Sequence, residues 1–207
     1  MDNGSIVKEA INLFLRYGIK AVSMDDIAKR VGISKRTLYE SFISKDDLLM
    51  SCVEELHRRR NEELAEIFKT APDTMSAFMQ CLFTVDMASR SANPLFLEEL
   101  CRYHRNAIST SFARITESSI EGLRGLLDKA KAEGMIRTDT NTDLVARVFI
   151  WQMSPHDQIG TAFEGYSKDL LFMTISINFF RGLSTPKGQE RIEELLCEYR
   201  REHGMVF

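Results

Sequence analysis

Val31–Gly32–Ile33–Ser34–Lys35–Arg36–Thr37–Leu38–Tyr39–Glu40–Ser41–Phe42 reads as a tight turn running into a short, two-faced helix. Gly32 suits a position that needs φ > 0, and Ile33 is placed to plug the space between two helices. Ser34 is a good N-cap, since its hydroxyl can accept from an orphan amide of the first turn. On a wheel of 100° per residue with Leu38 at zero, Phe42 falls at about 40°, so these two form the buried side. Arg36 then lies at about 160° and Glu40 at about 200°, facing outward, with Thr37 and Tyr39 on the flanks.

The flanking sequence supplies the partners for that helix. Ile6, Ala10, Leu13, Phe14 and Tyr17 form a helical stripe that Gly18 ends. A second short helix follows Ser23, an N-cap with Asp25 and Asp26 in the first turn, where the helix dipole favours acids. It buries Met24, Ile27, Ala28 and Val31 and stops at Gly32. Ser44 caps a fourth helix, expected from Lys45 to about Lys69. Three helices with a glycine turn between the second and third make a helix-turn-helix pattern.

That pattern has a specific use. A residue facing outward from the third helix reaches base edges in the major groove, while flanking residues touch the phosphate walls. Arg36 is the base-reading candidate, with guanine O6 and N7 as its target. The hydroxyls of Thr37 and Tyr39 suit phosphate oxygens. Lys45 adds a charge and a backbone N–H at a helix N-terminus. Ser34 and Lys35 join the DNA-facing set, Lys35 being either a phosphate contact or a solvated lysine. Glu40 either accepts from cytosine N4 or pairs with Arg36 at i,i+4, and the pair is the favoured reading. The Arg58–Arg59–Arg60 run reads as a solvated face of helix four.

Ser23–Ala28, Val31–Phe42 and Ser44–Leu49 together resemble the DNA-binding domain of the TetR family of transcriptional regulators. The resemblance spans about residues 5–50. It implies an all-α fold: an N-terminal helix-turn-helix domain (1–50) joined by a long helix to a larger helical domain for ligand binding and dimerisation (51–207). It also implies phosphate contacts from Ser23, Thr37, Tyr39 and Lys45. Arg36 departs from the pattern, since many members carry glycine or another small residue there.

Beyond Pro72 the periodicity predicts helices at roughly 73–90, 94–104, 107–133, 142–155, 167–183 and 187–202. The stretch holding Leu170, Leu171, Met173, Thr174, Ile175, Ile177, Phe179 and Phe180 is apolar on more than one side. A peripheral helix needs one stripe, so this one is expected to face a core and a partner subunit. With Leu144, Val145, Val148, Phe149 and Trp151 it would build a homodimer interface, in which Val148, Trp151, Leu171, Ile175 and Phe179 are the candidate contacts. A dimer presents two recognition helices to a near-palindromic double-stranded operator. For a small apolar inducer, the pocket candidates are Phe78, Met79, Phe83, Met87, Phe96, Tyr103, Phe112 and Gln152, with Arg102, His104 and His156 as further polar positions.

Composition narrows the rest. The 207 residues carry a net charge of −3, so the whole chain is not a generic polyanion binder. Residues 1–50 hold eight Lys and Arg against seven Asp and Glu, a net of +1 that leaves −4 elsewhere, so any basic surface must come from local clustering. Cys52, Cys81, Cys101 and Cys197 lack metal-ligand spacing, as do the four histidines, so no metal or cofactor is expected. No signal sequence, membrane span or nucleophile–base motif is legible, which points to a cytoplasmic protein that is not an enzyme. The rival readings are a regulator with no small-molecule ligand, one controlled by a protein partner, and a helical-bundle enzyme.

Overall fold

The computed structural model describes residues 2–91, 94–103, 105–153, 165–166 and 168–203, with side chains at 85–91, 94, 97, 101–103, 105–114, 153, 168–169 and 203 left aside. The fold is all-α. The described helices are α1 (Asn3–Tyr17), α2 (Met24–Val31), α3 (Lys35–Ser41), α4 (Lys45–Thr70), α5 (Thr74–Ser91), α6 (Pro94–Tyr103), α7 (Arg105–Ala132), α8 (Thr142–Met153), α9 (Lys168–Leu183) and α10 (Pro186–His203). Each expected helix is present among the described residues. Among the described residues, no helix is long and apolar enough to cross a membrane, and no group of three His, Cys, Asp or Glu could hold a metal.

The chain forms two compact units, 1–63 with 91–115 and 64–90 with 116–207. In the first, Ile6, Ala10, Ile11 and Phe14 of α1 meet Ile27 and Ala28 of α2, Leu38 of α3, Leu48, Leu49 and Cys52 of α4, and Phe96 and Leu100 of α6. The α1 stripe is therefore shifted from the expected one. Ile11 is buried, Leu13 only partly so, and Tyr17 stands 48% exposed. Tyr17 sits in the last turn, where the chain reverses at Gly18 and Arg16 lies over its ring.

Local chemistry sets the helix ends as the sequence implies. Ser23 and Asp26 form a reciprocal capping box on α2, and Ser34 accepts from the Thr37 amide at 3.1 Å. Gly32 ends α2 in the left-handed region at φ 80°, its N–H donating to Ala28 O, and the Ile33 amide shares that carbonyl. A Cβ at Gly32 would meet nothing, so the requirement there is purely conformational.

The second unit is built on α5, α7, α8, α9 and α10. Met75, Phe78 and Met79 pack with Leu127, Phe149, Met173, Ile177, Phe180 and Leu196. Phe180 is the aromatic hub, with ring centroids 4.9 Å from Phe78 and 5.3 Å from Phe149. Arg191 of α10 donates to Asp73 and Ser76, and Asp73, just ahead of α5, accepts in turn from the Ser76 amide in its first turn.

Candidate nucleic-acid interface

The turn between α2 and α3 fixes which side of α3 is available. Leu38 is fully buried and Phe42, the C-cap, nearly so. The opposite side is open: the Arg36 side chain is 89% exposed and Tyr39 is 44% exposed. Burying Leu38 and Phe42 contributes roughly 1.5–3 kcal/mol each, enough to hold a seven-residue helix that would not form alone.

The polar groups on this face are partly engaged with one another. Thr37 Oγ1 and Ser34 Oγ lie 2.8 Å apart. When Ser34 donates in that pair, the Thr37 hydroxyl hydrogen is available to an external acceptor. The Tyr39 hydroxyl makes no hydrogen bond among the described residues. Arg36 Nε donates to Glu40 Oε1 at 3.0 Å, so the favoured reading of Glu40 holds in this structure. Lys35 Nζ lies 2.8 Å from Asp25 Oδ1, an ion pair from α3 to α2 in which the lysine side chain stays 59% exposed. That hydrogen bond and the Asp25 charge raise the Lys35 pKa.

Two expected phosphate contacts have intramolecular partners. Ser23 Oγ lies 2.5 Å from Asp26 Oδ2 while accepting from the Asp26 amide, and the Ser23 side-chain and backbone bonds lower the Asp26 pKa. Lys45 Nζ turns inward, donating to Ile19 O at 2.5 Å and lying 5.9 Å from the Phe14 ring centroid. Its pKa is lowered, burial being the main cause. To reach a phosphate, either side chain would first exchange its present partner. Sequence reasoning missed Asp25 as the partner of Lys35. It also missed the capping box, although the Ser-x-x-Asp spacing was legible.

Other candidates separate by unit. Val148 and Trp151 of α8 and Ile175 of α9 are exposed, Trp151 by 64%, and Leu171 and Phe179 are half-buried. Leu144 extends the α8 stripe at i, i+4 and i+7. Val145 and Phe149 are corrected: they face the unit's own core, because 100° per residue turns them away from that stripe. Of the pocket set, Phe78 and Met79 are buried in the second unit's core, Phe83 stacks on Tyr199 at 3.7 Å, and Gln152 is half-buried. Phe96 packs in the core of the first unit. The side chains of Met87, Arg102, Tyr103 and Phe112, and residues His104 and His156, lie outside the described residues. The Arg58–Arg60 run is an ion-paired face: Arg58 bridges Glu55 and Glu62, and Arg59 joins Glu55.

Comparison with known proteins places this geometry. Residues 6–52 match the family described as bacterial regulatory proteins, tetR family. The chain is 30% identical over 146 residues to the HTH-type transcriptional regulator YvaF of Bacillus subtilis, covering 70% of this chain and 75% of that one. It is 26% identical to the HTH-type transcriptional repressor KstR2 of Rhodococcus jostii, over 67% and 69% of the two chains. A transcriptional regulator from Cytophaga hutchinsonii has the same fold, with a TM-score of 0.72 at 15% identity over 87% of this chain and 97% of that one.

Proposed function

The chain belongs to the tetR family of bacterial regulatory proteins, DNA-binding transcriptional regulators rather than enzymes, and from that premise we propose that it is a homodimeric repressor of a near-palindromic operator. The observation that carries this reading is α3 itself: a helix pinned by Leu38 and Phe42 that turns Arg36, Thr37 and Tyr39 outward together. Arg36 reads a base, and Thr37 and Tyr39 contact phosphates. Lys35 and Asp25 hold α3 against α2. Residues 1–50 are the DNA-binding part and 51–207 the regulatory part, acting in the cytoplasm.

Dimerisation is supported by the exposed apolar stripe of Leu144, Val148 and Trp151, joined by Ile175 of α9. A stripe of this kind on a soluble helix calls for a partner surface, and a two-fold pairing uses the same patch twice. Repression is supported by the likeness to the KstR2 repressor. Release by a small apolar ligand is the further step. It is supported by the supply of Met and Phe in the regulatory part, where Met75, Phe78, Met79, Met173 and Phe180 are side chains able to repack around a guest.

Selection from a random-sequence duplex library with the purified protein tests the reading. A two-fold symmetric consensus, protected by a complex holding an even number of chains, is expected. Recovery of no consensus would overturn it. An asymmetric site bound by one chain would overturn the dimer while leaving DNA binding in place.

A further inference from the structure

Arg36 and Glu40 form an exposed i,i+4 pair, and such pairs contribute little to stability. Its geometry is more informative than its strength. The carboxylate takes Nε, the inner edge of the guanidinium. Among the described residues nothing engages Nη1 or Nη2, and the side chain is 89% exposed. The two terminal amino groups form the fork that matches guanine O6 and N7 end-on.

We infer that Glu40 is a positioning residue that holds Arg36 for end-on reading of a guanine in the operator, an inference that rests on the DNA-binding reading above. An unsupported arginine has many rotamers to give up on binding, and its charge draws it to the phosphates. Glu40, one helical turn further on, removes both difficulties. It fixes the guanidinium across the outward face of α3, and its own charge repels phosphate oxygens. Neutral acceptors on a base edge are then the preferred partners. Glu40 itself touches no base in this arrangement.

The experiment takes the duplex selected by the wild-type protein and replaces each half-site guanine in turn by 7-deazaguanine, which lacks the N7 acceptor. Inosine, which keeps N7 and O6, is the control. One guanine is expected to lose roughly tenfold in affinity on 7-deaza replacement and nothing with inosine. Arg36→Ala abolishes that difference. Glu40→Ala and Glu40→Gln remove the same charge, so both raise affinity for scrambled DNA alike. Glu40→Gln keeps an oxygen for Nε and retains the 7-deaza discrimination, whereas Glu40→Ala loses most of it. Equal discrimination in the two variants would overturn the inference, as would a selected site with no sensitive guanine, and either result leaves DNA binding standing. Failure of the wild type to select any duplex would remove the DNA-binding reading itself.

Discussion

Lys45 and Glu99 grip opposite ends of one peptide unit: Lys45 Nζ donates to the Ile19 carbonyl at 2.5 Å, and the Lys20 amide of the same peptide donates to Glu99 Oε2 at 2.9 Å. That peptide lies in the α1–α2 turn, one residue beyond Gly18, whose φ of 85° and ψ of 163° suit only glycine. The first residue of α4 and a residue of α6 thus fix the corner that sets where α2 begins. Glu99→Ala is expected to lower stability by about 1–2 kcal/mol through the lost charged acceptor. Faster hydrogen exchange at the Lys20 amide would locate the effect, and unchanged exchange there would refute it.

Gly188 and Gly122 make a paired prediction. A Cβ on Gly188 would stand 2.1 Å from the Met135 carbonyl oxygen, a backbone atom that has no rotamer to yield. Gly188→Ala is expected to destabilise by about 3 kcal/mol, despite the better helix propensity of alanine. A Cβ at Gly122, inside α7, meets nothing, so Gly122→Ala is expected to stabilise by roughly 0.5–1 kcal/mol. Urea denaturation of both variants reads the opposite signs.

Acid should weaken the α5–α10 corner. Burial raises the Asp73 pKa, but hydrogen bonds from Ser76 and the Arg191 guanidinium outweigh it, and the net shift is downward from 3.8. The unfolded state therefore binds the proton more readily. This contribution is complete above 3.8 and fades as pH falls through the lower folded value. The gap in thermal midpoint between wild type and Asp73→Asn should narrow below pH 3.8; a constant gap would contradict the assignment.

Cys52 is fully buried, and desolvation pushes its thiol up to about 12. Cys197 is exposed on α10. Iodoacetamide at pH 8 should alkylate Cys197 and spare Cys52 until the protein unfolds, since the thiolate is the reactive form. Peptide mapping by mass spectrometry separates the two.

Much of the DNA-facing part was legible because its determinants are local. Caps at Ser23 and Ser34, the glycine at 32 and the inward pair Leu38 and Phe42 all act within four residues of their targets. What escaped was long-range: the Lys45–Ile19 and Lys20–Glu99 bonds span 26 and 79 positions and leave no periodic trace. Phe96 shows the same limit. Its aromatic character marked it as a pocket candidate, and its packing in the core beneath α1 left no periodic trace in the sequence. The i,i+4 spacing did reveal the Arg36–Glu40 pair, but not which nitrogen the carboxylate would occupy.

Reading of DNA by the outward face of α3 is measured by fluorescence anisotropy of wild type, Arg36→Ala and Tyr39→Ala on the selected duplex and a scrambled one across a salt series. Arg36→Ala is expected to narrow the gap between the two duplexes by about 1–3 kcal/mol, whereas Tyr39→Ala weakens both alike. Wild-type binding that is insensitive to salt, or equal on the two duplexes, would contradict it.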